Sequence, residues 1–257
     1  MGDGSLTFAV PVRDPRGVAD WPEAMRLLRV TVDSMFAQQG PRPTVVLGAS
    51  PGAQLPDLPR DVVVVPVDLP FRDLPVGEGE PRWDAIRYDK GTRLAHALNA
   101  VRPQGHVMVV DYDDLVSSRL ALQVAAEPDA PGWFVDAGYL WDGGGLASVV
   151  RTGFNEACGT SMIVRADLLR LPLDPSDPSS LDWIKAILGS HKRWRGVLPL
   201  EPLPFPGAVY RVGSGHNVSG AIGLPRRLVQ SRHSFGDAMA ALGSLRAWRG
   251  VRRQFGA

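Results

Sequence analysis

Val107-Met108-Val109-Val110-Asp111-Tyr112-Asp113-Asp114 runs four apolar residues straight into a cluster of carboxylates. Such a run reads as a strand buried on both faces, the state of a central parallel strand. Open α/β sheets bind ligands at the carboxyl ends of their strands, which is where the three acids fall. Carboxylates so close repel one another unless they are exposed, partly protonated or holding a cation. A divalent metal and a phosphorylated substrate are therefore the first expectation.

Upstream, Leu6–Val12 reads as a first strand, and a helix opens at Asp20-Trp21-Pro22-Glu23 with Asp20 as N-cap. Met25, Leu28 and Val32 at helical spacing carry it to about Gln39, before Gly40-Pro41. Thr44–Gly48 and Val62–Val67 are the next strands, with Pro66 marking an edge or bulge. Residues 70–88, rich in Pro and Gly, read as a mobile loop. A helix follows from about Lys90 to Val101 and leads into the acidic strand. This alternation predicts a mostly parallel, Rossmann-like central sheet flanked by helices.

Downstream, 132–141 is aromatic-rich and β-like, and Gly143-Gly144-Gly145 is a turn. Thr160–Arg165 reads as a strand, Ser180–Leu188 as a helix, Val209–Val212 as a late strand and Phe235–Arg249 as a C-terminal helix. The organisation read from this is 1–114 as a nucleotide-binding half, 115–224 as a second half with a small mixed β region, and 225–257 as a basic tail.

The chain has 257 residues and a formal net charge of +1, enough for one α/β domain with a sizeable core and not a polyanion binder overall. Residues 225–257 nonetheless hold seven arginines against one acid, Asp237. That tail suits an anionic surface or nucleic acid, or is simply a solvated helix face. Cys158 is the one cysteine, so no internal disulfide forms. The start lacks a leader pattern and no run suits a membrane span, so a cytoplasmic protein, peripheral at a membrane at most, is expected.

The helix Lys90-Gly91-Thr92-Arg93-Leu94-Ala95-His96-Ala97-Leu98-Asn99, followed by the strand ending in Asp111-Tyr112-Asp113, resembles the core of GT-A fold, nucleotide-sugar-dependent glycosyltransferases of the family 2 type. The resemblance spans roughly Leu6 to Asp114 in element order and extends to Gly159-Thr160-Ser161-Met162-Ile163-Val164-Arg165. It implies a metal-dependent hexosyltransferase, inverting rather than retaining, using Mn²⁺ or Mg²⁺ and a UDP- or GDP-sugar donor with a hydroxyl acceptor. A metal bridging the two phosphates would act as Lewis acid for the leaving diphosphate.

By this resemblance Asp113 contacts the metal, Asp111 faces the ribose or a metal-bound water, and Asp114 is a third acid. A plain acidic turn with Asp114 capping a helix from Leu115 is the alternative. Pro11, Val12 and Arg13 would line the base and ribose pocket beside Tyr112. Lys90 and Arg93 would reach the phosphates, or stand as exposed helix charge. Asp68 would hold the base, or be a loop residue. His216, between glycines, would be a third metal ligand, or a turn histidine. The Glu-Asp pair that often supplies the acceptor-side base is absent. Asp182, His191 and Asp136 are the candidates, although Asp182 also suits a helix cap and His191 a helix end. Trp133, Trp141, Trp183 and Trp194 could stack on sugars or fill core. Two other readings remain: a haloacid dehalogenase-type phosphatase, opposed by the motif's late position and by Leu115, and a non-catalytic nucleotide-sugar or polyanion binder of the same fold.

Overall fold

The computed structural model describes residues 3–77, 79–190, 192–212 and 244–256. Its first half alternates as the sequence predicts: β1 (Leu6–Pro11), α1 (Trp21–Phe36), β2 (Thr44–Ala49), β3 (Val62–Pro66), α2 (Glu80–Val101) and β4 (His106–Val109). Then come β5 (Leu115–Val116), α3 (Leu120–Ala126), β6 (Gly132–Phe134), β7 (Gly138–Trp141), β8 (Leu146–Val150) and β9 (Met162–Arg165). The described chain closes with α4 (Pro178–Trp183), a π-helical turn (Ile184–Leu188), β10 (Glu201–Pro202), β11 (Ala208–Arg211), β12 (Leu245–Ala247) and α5 (Trp248–Arg252).

The strands form two sheets. The larger has the order β10-β6-β9-β4-β1-β2-β3. In it β1 runs parallel to β2 and β4, β2 parallel to β3, and β9 antiparallel to both β4 and β6. Successive residues of its central strands point to opposite faces. Phe8, Val10, Val45, Leu47, Met108 and Val110 pack with Leu28, Val32 and Met35 of α1. Ala9, Val46, Val107 and Val109 pack with Leu94 and Leu98 of α2 and with Ile184 and Ile187. Burying both faces explains why these strands read as unbroken apolar runs. The fold is mixed α/β, a mostly parallel central sheet flanked by helices.

The smaller sheet has the order β12-β8-β7-β11-β5 and is mixed, with β11 parallel to β7 and antiparallel to β5. The chain passes from β4 to β5, and so from one sheet to the other, through Asp111–Asp114. It crosses again between β6 and β7, so 132–141 is two strands in two sheets.

Three expectations are corrected. Helix α2 begins at Glu80, inside the Pro- and Gly-rich stretch expected to be a loop; Pro81 falls in the first helical turn, which needs no N–H from it. Glu80–Arg87 and Asp84–Lys185 ion pairs hold this added part. Leu115 starts a strand and not a helix, because β11 pairs with it. At the C-terminus Leu245–Ala247 is a strand on β8, and the helix is Trp248–Arg252. Val149 N donates to Ser244 O, which fixes that pairing. The remainder of the expected helix, with His191 and His216, lies outside the described residues.

Candidate functional site

The carboxyl end of β4 holds the three acids in three different environments. Asp111 donates its backbone N–H to Thr160 Oγ1 at 2.9 Å and accepts from Lys90 Nζ at 2.5 Å. Lys90 comes from the middle of α2, which lies across that face of the sheet. Gly159 makes the pair possible: a Cβ there would lie 2.1 Å from Asp111 Oδ2 and 2.8 Å from Lys90 Nζ.

Asp114 is fully buried and ties three segments together. It accepts from Thr160 Oγ1 at 2.6 Å, Cys158 Sγ at 3.2 Å and the backbone N of Arg211 at 3.2 Å. Burial and then the charge of Asp111 push its carboxyl up to about 7. With every near donor spoken for, Asp114 is a joint between the sheets and not an open ligand.

Asp113 lies between them, only 6% exposed. No other described residue hydrogen-bonds its carboxylate. Burial, then Asp114 and Asp111, push it well above the ordinary carboxylate range, against its own backbone N–H and then Arg211. Arg211, at the end of β11, is itself buried and lies 5.0 Å from the Trp141 ring centroid. Burial pulls its pKa down, while Asp113 and Asp114 hold it up. Among the described residues no three Asp, Glu, His or Cys side chains converge as a metal cage. A hard cation ligated mainly by phosphate and water needs only one or two protein carboxylates, and a buried carboxylate short of hydrogen bonds suits it.

Beside the acids, a cleft of about 470 Å³ opens at the carboxyl ends of β1, β2 and β3. Asp14, Arg16, Trp21, Ser50, Gln54 and Asp68 are among the residues that line it. Asp68, read as either a base contact or a loop residue, therefore faces the cleft. Pro11 and Val12 are buried beneath it, Val12 wholly within the core, and their neighbours Asp14 and Arg16 form the wall. Arg13 is half-buried. Tyr112, almost wholly buried, is pushed up to about 12 by that burial, with Arg13 acting against the shift. Its carbonyl accepts from Thr31 Oγ1 of α1 at 2.9 Å.

Arg93 is not an exposed helix charge. It is 1% exposed, pairs with Asp89 and donates to Ser50 Oγ at 3.1 Å. Ser50 donates to Asp14 Oδ2 at 3.0 Å, and Arg16 grips Asp14 with two 2.9 Å bonds. Asp14 is consequently held well below the usual carboxylate range, by Arg16 first. The network braces the cleft floor from below. Its long-range partners gave the sequence reading no signal.

Of the proton-acceptor candidates, Asp182 is exposed on α4 and makes no bond to the acids. Asp136 lies two residues past the end of β6. Val135 N donates to Ser161 O and Asp111 N to Thr160 Oγ1, so Asp136 stands in the same row of the sheet edge as Asp111. The two are two strand spacings apart, about 10 Å. Asp136 accepts from Gly153 N at 2.7 Å and lines a second cleft of about 340 Å³ with Arg151 and Phe205. Trp133 and Trp194 are core, and Trp183 donates to Leu169 O.

No family model matches the chain, and no curated protein matches it. Among solved structures it is similar to S. aureus TarS 1-349 in complex with UDP, with 11% identity and a TM-score of 0.45 over 92% of this chain and 68% of that one. A second structure of TarS 1-349 gives 13% identity and 0.43 over the same shares. A structure of S. aureus TarS gives 14% and 0.41, covering 92% of this chain and 41% of that one. What the site does rests on its own side chains. Among the described residues no helix is long and apolar enough to cross a membrane.

Proposed function

We propose that this chain transfers a sugar from a nucleoside diphosphate sugar to a hydroxyl acceptor. One observation carries the reading: Asp113, a buried carboxylate that no other described residue hydrogen-bonds, stands at the carboxyl end of the central strand beside the Lys90–Asp111 pair and a nucleotide-sized cleft. An Mn²⁺ or Mg²⁺ held there by Asp113, with Asp111 or His216 as further ligands, would supply Lewis-acid stabilisation of the diphosphate. Lys90 would take part of the phosphate charge, at the cost of loosening its hold on Asp111.

The cleft between Trp21, Ser50 and Asp68 would take the base and ribose of a UDP- or GDP-sugar. Asp136, at the same sheet edge and facing its own cleft, is the candidate to accept the acceptor's proton. The separation of about two strand spacings leaves room for one sugar between the diphosphate and the base. Direct displacement with inversion follows if Asp136 plays that part. Residues 1–114 would then be the donor half and 115–224 the acceptor half.

Thermal melts against UDP- and GDP-sugars, with and without Mn²⁺, test the reading. A donor-specific stabilisation that needs the metal is expected through mass action, and Asp113→Ala should remove its metal-dependent part. A shift unchanged in Asp113→Ala would dismiss the assignment. Turnover lost in Asp136→Asn with donor binding retained would support Asp136 as base.

A further inference from the structure

The last described segment, 244–256, carries Arg246, Arg249, Arg252 and Arg253 and no acid, and all four arginines are exposed. We propose that this face docks on an anionic phospholipid surface. The arginines sit on a fixed base. Val251 and Phe255, four residues apart, are buried against the smaller sheet, Phe255 edge-on to Tyr139 at 5.9 Å. Ser118 N donates to Gln254 O, and a Cβ on Gly256 would collide with Ala37 Cβ at 2.1 Å. The apolar stripe is thus spent on the protein's own core, and Arg249, Arg252 and Arg253 point the other way. Such a helix does not insert into hydrocarbon; it adsorbs by charge.

The same contacts argue for lipid over single-stranded nucleic acid, which binds by stacking bases on open aromatic faces. Trp248, the nearest ring, stacks on Trp141 with centroids 3.8 Å apart and planes 11° apart. The Trp141 ring also carries Arg211. This stack joins the basic face to the sheet that holds Arg211 beside Asp113. Three more arginines, Arg226, Arg227 and Arg232, lie in the sequence between the two. The proposal is independent of the sugar-transfer reading.

Sedimentation of the full chain with phosphatidylcholine vesicles, with and without phosphatidylglycerol, is the test. Binding should need the anionic lipid and fall steeply with salt. Replacing Arg246, Arg249, Arg252 and Arg253 by Gln should weaken it about fivefold per residue, while the matching Lys variant keeps it. Equal binding to neutral vesicles, a Gln variant that binds like the parent, or retention by an RNA oligomer with none by vesicles would overturn the proposal. Nucleotide-induced thermal shifts of the Gln variant should match the parent's, which separates this outcome from the fate of the catalytic reading.

Discussion

His106, the first residue of β4, is fully buried, with Nε2 2.9 Å from the Ala130 carbonyl. That carbonyl can only accept, so Nε2 carries the proton and Nδ1 is left with no partner among the described residues. Burial holds the imidazole below its ordinary value of 6.5. A base depressed by folding adds stability above the unfolded value and loses it as the pH falls through the folded one. Asp113 and Asp114, both raised by burial, act in the opposite sense and stabilise as the pH falls. His106→Gln should therefore lose less melting temperature than the parent on acidification below 6.5. Parallel pH–melting curves for the two proteins would discount the buried imidazole as an acid-sensitive group. Asp111, Asp113 and Lys90 were legible as a group because strand and helix patterns sit beside them. Arg211, Thr160 and Gly159 were not: the contacts that make them matter span 97, 49 and 48 residues of chain, beyond any local period.

Helix α2 lies close enough to β2 that a Cβ on Gly48 would sit 2.6 Å from the carbonyl oxygen of Arg93. That approach seats Arg93 under the cleft and sets the height of Lys90 above the sheet. Gly48→Ala should push the helix outward, cost about 1–3 kcal/mol in chemical denaturation and weaken nucleotide binding. Unaltered stability would mean that the helix yields without strain. The long strands β1, β2 and β3 could be read because apolar runs with turn residues around them have few other fates. The short strands β5, β10 and β12 could not, since two or three residues carry no period, and their pairing partners define them. β3 shows a local rule meeting a global one. Val63 and Val64 are exposed on this edge strand, and Val67 N bonds to Ala49 O. By alternation Pro66 faces the open side, where it offers no N–H to a foreign strand.

Two sheets share one chain path, and the C-terminal segment closes the second of them. Phe255 is fully buried among Leu115, Tyr139, Val209 and Val251. Phe255→Ala should lower the unfolding free energy by about 3 kcal/mol, as the loss of a buried aromatic does. A change near zero in a denaturant melt would show the segment to be an appendage. If the cost is real, the basic face belongs to the folded body and cannot be trimmed without unsettling β11 and its Arg211. The two-sheet arrangement was the part of the molecule least readable in advance. Nothing in 132–141 marks where one sheet is left for the other, because both strands are equally apolar and aromatic. Gly138 opens the second of these strands, and a Cβ there would meet the Phe154 ring at 2.5 Å.

Binding sites are usually inventoried by the groups they present, and on that count position 159 contributes nothing. Its share is room: the oxygen and the ammonium that meet at the strand end occupy the volume any side chain there would claim. A saturation screen for nucleotide binding would rank this position with Lys90 and Asp111, and would mark as essential a residue with no chemistry of its own.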